Sequence, residues 1–454
     1  MNKKKQNMLT GSLWDKIILF ALPLAATGIL QQLFNAADIA VVGRFTGDMG
    51  SIAMAAVGTN SSIVNLIVNL FVGLALGANV VIATAVGMGD EDTIEKAVHL
   101  SITFAVAGGA AAAVVCELLA PYILSLIHVP AEVLPMATLY LRVYLAGLPV
   151  ILLYNFESAI FRAVGDTRTP LMMLAISGVV NVALNFLFVV GLNMTVDGVA
   201  MATVLSNLLC AILLLRRLLR TELPIRVELK RLRIDWAVFR RILRIGIPAG
   251  IQSAVFSFAN ILIQSAVNTL DTVVMAASSA AYNVETFANY LMTAFGQSCT
   301  TFVSQNNGAH QTNRCKKAFG LCLLECALSL GLCIFLMLTF GRNILSLFTK
   351  EAAVIDTGYV RLVFILSSYA FSMFYDGMAG YLRGFGISLT PALLTTLGVC
   401  GVRIFWVYAV FPANPTFYTI MAVYPVSLAV TSVLMLCAVL RIRPARRAQL
   451  RSVA

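Results

Sequence analysis

Apolar residues run through this chain in stretches too long for the core of a soluble domain, separated by short polar turns. That pattern predicts about twelve helices. They cover residues 13–43, 51–78, 94–120, 136–164, 170–191 and 197–216 in the first half, and 241–269, 273–300, 315–340, 355–384, 391–411 and 418–440 in the second. Each holds about 20 residues or more, enough for a helix to cross a hydrocarbon core of about 30 Å. Composition agrees: 59% of the 454 residues are hydrophobic and 12% charged, against about 25% charged in a soluble domain. An all-α integral membrane protein is the expected fold class. The basic opening, MNKKKQNMLTGSLWDK, precedes no short apolar core with a small-residue cleavage site, so the first helix is expected to be retained.

The pattern repeats itself. "FRAVGDTRTP" ends at Pro170 and "YLRGFGISLTP" at Pro391, and the same offset of 221 relates Arg162 to Arg383 and Gly165 to Gly386. Gly77 and Gly89 return as Gly296 and Gly308, and "YLR" at 140 as "YVR" at 359, at an offset of 219. Pro23 and Asn35 return as Pro248 and Asn260 at an offset of 225. With six spans each, both halves enter and leave on one side of the membrane, which makes them parallel repeats about a pseudo-twofold axis along the membrane normal. The expected organisation is an N-lobe (1–215), a basic linker (216–240), a C-lobe (241–440) and a basic tail (441–454), with a cleft between two six-helix bundles. Each RxxGxxxTP stretch reads as the turn between the fourth and fifth helix of its bundle. Gly165 and Gly386 supply the backbone shape, Pro170 and Pro391 start the next helix, and Arg162 and Arg383 favour the helix end and the interface. A gating role for these turns is the second reading.

Formal charge is +11, and its placement sets orientation. Arg216, Arg217, Arg220, Arg226, Lys230, Arg231, Arg233, Arg240, Arg241 and Arg244 crowd the linker, and Arg441, Arg443, Arg446, Arg447 and Arg451 the tail. With Lys3, Lys4 and Lys5 they fall on one side, which the positive-inside rule makes cytoplasmic, together with both termini. Because they abut apolar spans, these runs point to a lipid surface and not to nucleic acid. Leu232, Trp236, Phe239 and Leu243 recur at helical spacing among the linker's basic residues, as in an amphipathic helix on the inner leaflet.

Nine cysteines without a CxxC pair offer no disulfide framework or zinc site. His99, His128 and His310 read as ordinary boundary residues. No Walker A loop, HExxH or nucleophile elbow occurs, so neither ATP hydrolysis nor another enzyme activity is expected and no cofactor is implied. The informative residues are polar ones inside apolar helices. Gln31, Asn35 and Asp38 share one face of the first helix, Asn181 and Asn185 one face of the fifth, and Thr203 lies early in the sixth. A carboxylate among amide and hydroxyl oxygens suits a hard cation such as Na⁺, or carries a proton; interhelical hydrogen bonding is the plainer reading. Arg403 adjoins the repeat counterpart of Asn181, so the second half has no copy of the Asn pair, and an acidic partner for Arg403 is expected. Glu157 is a buried acid without an obvious partner.

In these motifs the chain resembles the multidrug and toxic compound extrusion (MATE) family over nearly its full length. The resemblance is carried by the double RxxGxxxTP turn, "LPLAATGILQQLFNAADIAVVGRF", "NVALNFLFVVG" followed by "GVAMATV", and "TTFVSQNNGA". It implies a secondary antiporter that expels organic cations and amphipathic compounds in exchange for Na⁺ or H⁺, working as a monomer in the cytoplasmic membrane. Asp38, Asn181, Asn185 and Thr203 match the positions of an N-lobe cation site, with Asn35 beside them, and Asn185 departs from the aspartate of many members. For the C-lobe cavity the resemblance implies Glu285 and Asp376 as substrate-binding acids. Phe287, Tyr290, Phe374 and Tyr375 offer aromatic surface and Gln31 a polar contact; for Asp376, an internal salt bridge to Arg383 or Arg361 is the alternative. A flippase for lipid-linked precursors is the competing function, but it would need a basic cavity where the intramembrane charges here are mainly acidic.

Overall fold

The computed structural model describes residues 8–126 and 130–453, so Lys3, Lys4, Lys5 and His128 lie outside the described residues. The described chain is helical: α1 (Trp14–Phe45), α2 (Gly50–Met88), α3 (Glu91–Leu126), α4 (Leu134–Ala146), α5 (Leu148–Ala163), α6 (Arg168–Asn185) and α7 (Val196–Arg220) come first. After the linker follow α8 (Trp236–Val267), α9 (Thr272–Gly308), α10 (Thr312–Thr339), α11 (Gly341–Leu345), α12 (Ala352–Gly384), α13 (Leu389–Thr395), α14 (Val402–Phe405), α15 (Phe417–Ile442) and α16 (Pro444–Val453). Among the described residues ten helical stretches are long and apolar enough to span a membrane, and eleven if α4 and α5 count as one. The remaining expected span, 273–300, falls in α9. That helix is long enough but carries Ser278, Ser279, Asn283, Glu285, Thr286 and Asn289.

The span expected at 136–164 is bent by 50° between α4 and α5. Pro149 has no N–H for the carbonyl of Leu145, which loosens the helix there. At the junction Gly147 leaves room for Val204, whose Cγ2 would lie 2.3 Å from a Cβ at that position. The stretches after α6 and around α14 contain π-helical turns at 186–191, 396–401 and 406–410.

Contacts divide the chain into two compact units. The N-terminal unit holds residues 26–86 and 90–246, the C-terminal unit residues 1–25, 87–89 and 247–454. In the first, Ile82, Ile94, Leu100, Leu148, Phe156 and Leu214 join α2, α3, α5 and α7 in one apolar cluster. In the second, α9 and α12 approach closely through glycines. A Cβ on Gly380 would stand 2.5 Å from the Gly296 carbonyl oxygen, and one on Gly384 2.6 Å from Val303 Cβ. Small residues at such contacts let helix backbones meet where hydrocarbon gives no hydrophobic drive.

The repeated turn forms twice with one geometry. Gly165 has φ +91° and Gly386 φ +75°, the left-handed region where a Cβ is costly. Asp166 N–H bonds Phe161 O and Ile387 N–H bonds Leu382 O, both at 3.0 Å, while Gly165 N–H bonds Arg162 O and Gly386 N–H bonds Arg383 O. That double closure satisfies carbonyls at the helix end. Pro170 and Pro391 each stand third in the following helix, where an N–H has no intrahelical acceptor. Only the first copy is capped: Asp166 Oδ1 accepts the N–H of Thr169 at 2.9 Å and of Arg168 at 3.1 Å, whereas Ile387 stands in its place. Asp166→Ala is therefore expected to cost about 1 kcal/mol. Thermal unfolding in detergent measures it, and an unchanged melting temperature would show the cap to be idle.

The arginines of the two turns differ. Arg162 is half-buried, whereas Arg383, in the last turn of α12, is buried. Its Nη2 donates to Gln252 Oε1 at 2.7 Å, and Gln252 Nε2 donates in turn to Thr395 Oγ1 at 3.0 Å. A buried amide acceptor on α8 draws the guanidinium inward.

The linker also departs from expectation. No amphipathic helix begins near Leu232; the chain from 221 to 235 is non-helical except for a 3₁₀ turn at Leu229–Arg231, and α8 starts at Trp236. Phe239 and Leu243 pack on the N-terminal unit's core, with the Phe239 ring 5.3 Å from that of Phe104. Ile225 and Val227 are buried in the same cluster. The strap is held by Val227 N–H to Leu218 O at 3.2 Å and by Glu228 N–H to His99 Nε2 at 2.9 Å. Of the expected face, Phe239 and Leu243 are covered by protein, while Leu232 and Trp236 are exposed.

Candidate functional site

In the N-terminal unit a carboxylate is built into the meeting of α1, α6 and α7. Asp38 is buried, 5% exposed, although it lies on a helix with few other buried positions nearby. Its Oδ1 accepts Asn185 Nδ2 at 2.5 Å and its Oδ2 lies 3.0 Å from the Thr203 hydroxyl. Asn185 Nδ2 is also 3.3 Å from Asn181 Oδ1. The four-residue spacing of the asparagines places both on the face toward Asp38, as the sequence pattern requires.

All of these neighbours are neutral, and no ion pair to Asp38 occurs among the described residues. A charged carboxylate sunk this deep needs compensation that two hydrogen bonds supply only in part. The donor set fits a small hard cation or a proton. Asp38 offers two oxygens, Asn181, Asn185 and Thr203 one each, and Asn185 Oδ1 is buried without a hydrogen-bond partner. Rotating the Asn185 amide would exchange its donor for that acceptor. Asn35, one turn before Asp38 on α1, is exposed and makes no hydrogen bond to the Asp38 carboxylate. Gln31 Nε2 reaches Tyr154 OH instead, at 3.4 Å.

The polar residues of the C-terminal unit fall into separate hydrogen-bonded sets, two of which, those of Arg361 and Arg403, flank the Tyr424 ring. Glu285 on α9 is paired with Arg361 on α12 through Arg361 Nη2 at 2.8 Å and Nε at 3.3 Å, both side chains being almost fully buried. Asp376 makes no hydrogen bond with either arginine considered for it: Arg361 is bonded to Glu285, and Arg383, bonded to Gln252, acts on Asp376 only through its charge at longer range. Its Oδ2 lies over Gly296, where a Cβ would be 2.3 Å away. Tyr375 is buried, whereas Phe287 and Tyr290 are half-buried and Phe374 is exposed. Arg403 has no acidic partner: its Nη1 donates to Asn260 Oδ1 at 2.6 Å and its Nε to Ser427 Oγ at 3.3 Å. The amide is closer than any carboxylate, and two aromatic rings fill the space beside it.

Several polar residues were not singled out by sequence. Gln252 and Ser427 are ordinary in composition and gain meaning only from their arginines. Glu325 on α10 is 1% exposed with both carboxylate oxygens unpartnered; its position as a lone acid in "LCLLECALSL" was a usable signal. Glu157 on α5 is fully buried with both oxygens unpartnered, as its apolar surroundings suggest.

A family model described as MatE matches the chain twice, over residues 23–187 and 248–409, once in each half. The chain belongs to the MatE family. Among MatE relatives, the probable multidrug resistance protein YoeA of Bacillus subtilis is 26% identical over 400 residues, covering 87% of this chain and 86% of its own. The probable multidrug resistance protein NorM of Thermotoga maritima is 29% identical over 411 residues, covering 86% and 84%. A MATE transporter of the MOP superfamily, solved in an outward-facing conformation, matches with a TM-score of 0.89 at 19% identity over 98% of this chain and 100% of that one. That likeness is one of fold, the two-lobe helical architecture. As a MatE protein the chain is a multi-pass membrane transporter of a multidrug efflux family and not an enzyme.

Proposed function

We propose that this chain is a cation-coupled antiporter that exports organic cations and amphipathic compounds across the cytoplasmic membrane by alternating access. One observation carries the reading: Asp38 is a buried carboxylate whose partners Asn185, Asn181 and Thr203 are all neutral, leaving its charge to be balanced by an exchangeable ion. Na⁺ or H⁺ is the coupling ion. Loading Asp38 removes the unbalanced charge from the N-terminal unit and so favours one arrangement of its helices, as far as the ion's differential affinity for the two states allows. The substrate is a small apolar cation or amphipath attracted by Asp376, whose carboxylate is not closed by a hydrogen-bonded arginine as Glu285 is. The protein acts as a monomer, with both termini on the cytoplasmic side where the basic linker and tail meet anionic lipid.

The test is efflux of a fluorescent organic cation from proteoliposomes, with Na⁺ and H⁺ gradients imposed separately. One gradient is expected to drive export and thereby name the ion. If neither gradient moves the cation while the protein is folded, the flippase reading takes precedence.

A further inference from the structure

The duplicated halves can be placed in register residue by residue around Arg403. The helix N-caps Thr195 and Thr416 stand 221 apart, as do the last-turn arginines Arg220 and Arg441 of α7 and α15. The same offset relates Pro170 to Pro391, while 225 relates Asn35 on α1 to Asn260 on α8. Carried through these offsets, Thr203 becomes Tyr424, Ser206 becomes Ser427, Asn35 becomes Asn260 and Gln31 becomes Phe256.

Those four counterparts are the residues around the Arg403 guanidinium. Its Nη1 donates to Asn260 Oδ1 at 2.6 Å and its Nε to Ser427 Oγ at 3.3 Å, and its centre lies 4.8 Å from the Tyr424 ring and 5.3 Å from the Phe256 ring. Arg403 itself follows the counterpart of Asn181 by one residue and is 1% exposed. In the N-terminal unit the corresponding helices enclose a carboxylate, Asp38, without a covalently attached cation. In the C-terminal unit the counterpart of Asp38 is the apolar Ile263, and a cation is attached.

We propose that Arg403 is a resident cation, held in the C-terminal unit by the counterparts of Thr203 and of three residues, Gln31, Asn35 and Ser206, that lie on the same two helices as Asp38 and Thr203 without bonding the Asp38 carboxylate. Guanidinium is suited to the position because it is weakly hydrated, stays charged, and is held by ring faces together with neutral oxygens. The corresponding helices of the C-terminal unit thereby hold a cation throughout the cycle and take up no exchangeable ion. This last step rests on the reading of Asp38 as the ion-binding carboxylate; the occupancy of the Arg403 site does not.

The site can be emptied and refilled. In Arg403→Ala the vacated space keeps Asn260, Ser427 and the two rings, and millimolar guanidinium is expected to raise its melting temperature by about 2–4 °C. Urea, neutral and of the same shape, and NaCl at equal concentration are expected to leave it unchanged, as guanidinium leaves wild type unchanged. Asn260→Asp removes no side-chain volume and gives the resident cation a counter-ion, so it should melt above wild type; this variant decides the matter if Arg403→Ala does not fold. A folded Arg403→Ala protein indifferent to guanidinium, or an Asn260→Asp protein melting below wild type, overturns the proposal. Both readouts are independent of transport, so gradient-driven efflux through Asp38 can fail or succeed separately.

Discussion

Asp38→Asn is expected to keep the fold and to lose gradient-driven export by about 100-fold or more. The substitution conserves shape, and an asparagine Oδ1 still accepts from Thr203, which lies 3.0 Å from Asp38 Oδ2. The lost feature is a charge that responds to the ion. Moving a two-state protein from 1:99 to 99:1 takes a preference of about 10⁴-fold between the states, and an amide among neutral groups gives a monovalent ion little to prefer. Efflux from proteoliposomes under the effective gradient reads the loss, and a melting temperature close to wild type excludes misfolding. Export at the wild-type rate would remove Asp38 from the coupling mechanism.

Arg361→Met is expected to destabilise the protein by about 3–5 kcal/mol, because it leaves Glu285 buried without its partner. The pair is closed by two hydrogen bonds, at 2.8 and 3.3 Å, between side chains 4% and 6% exposed. Water cannot relieve a carboxylate in that position. The double variant Arg361→Met with Glu285→Gln is expected to recover most of the loss, since it removes both charges together. Thermal unfolding of wild type, both single variants and the double variant gives the coupling between them. If the double variant is as unstable as Arg361→Met, the loss comes from packing against α9 and not from a stranded charge.

What the sequence made legible depended on separation along the chain. Hydrophobic runs mark nearly all the helices, and the offset of 221 singles out Gly165 and Gly386, both of which have positive φ. The spacing of Asn181 and Asn185 predicts that they share a face, and Asp38 stands out as the one carboxylate of α1 beyond its first turn. The pairing of Glu285 with Arg361, 76 residues apart, had no local signature, nor did that of Gln252 with Arg383, 131 apart. In both cases the partner is chosen by helix packing. The bend before α5 was signalled by "GLP" at 147–149 but hidden within an unbroken apolar run. The linker shows the opposite error: Phe239 and Leu243 have the periodicity of a membrane-facing helix, and periodicity alone does not distinguish lipid from a neighbouring helix as the covering surface.

The docked strap at 225–228 also determines where this protein tolerates a cut. Ile225 and Val227 are buried and Glu228 is tied to His99 through its backbone, so a break or an inserted tag there would pull a short piece of chain out of the N-terminal unit's core. From Leu229 to Ile234 the side chains are exposed, and the ion pair of Arg231 with Glu95 lies at the surface, where such pairs contribute little. A protease site or epitope placed in those six residues leaves the strap with the first fragment and α8 intact in the second. Two separately encoded fragments divided there would each carry one complete copy of the RxxGxxxTP turn.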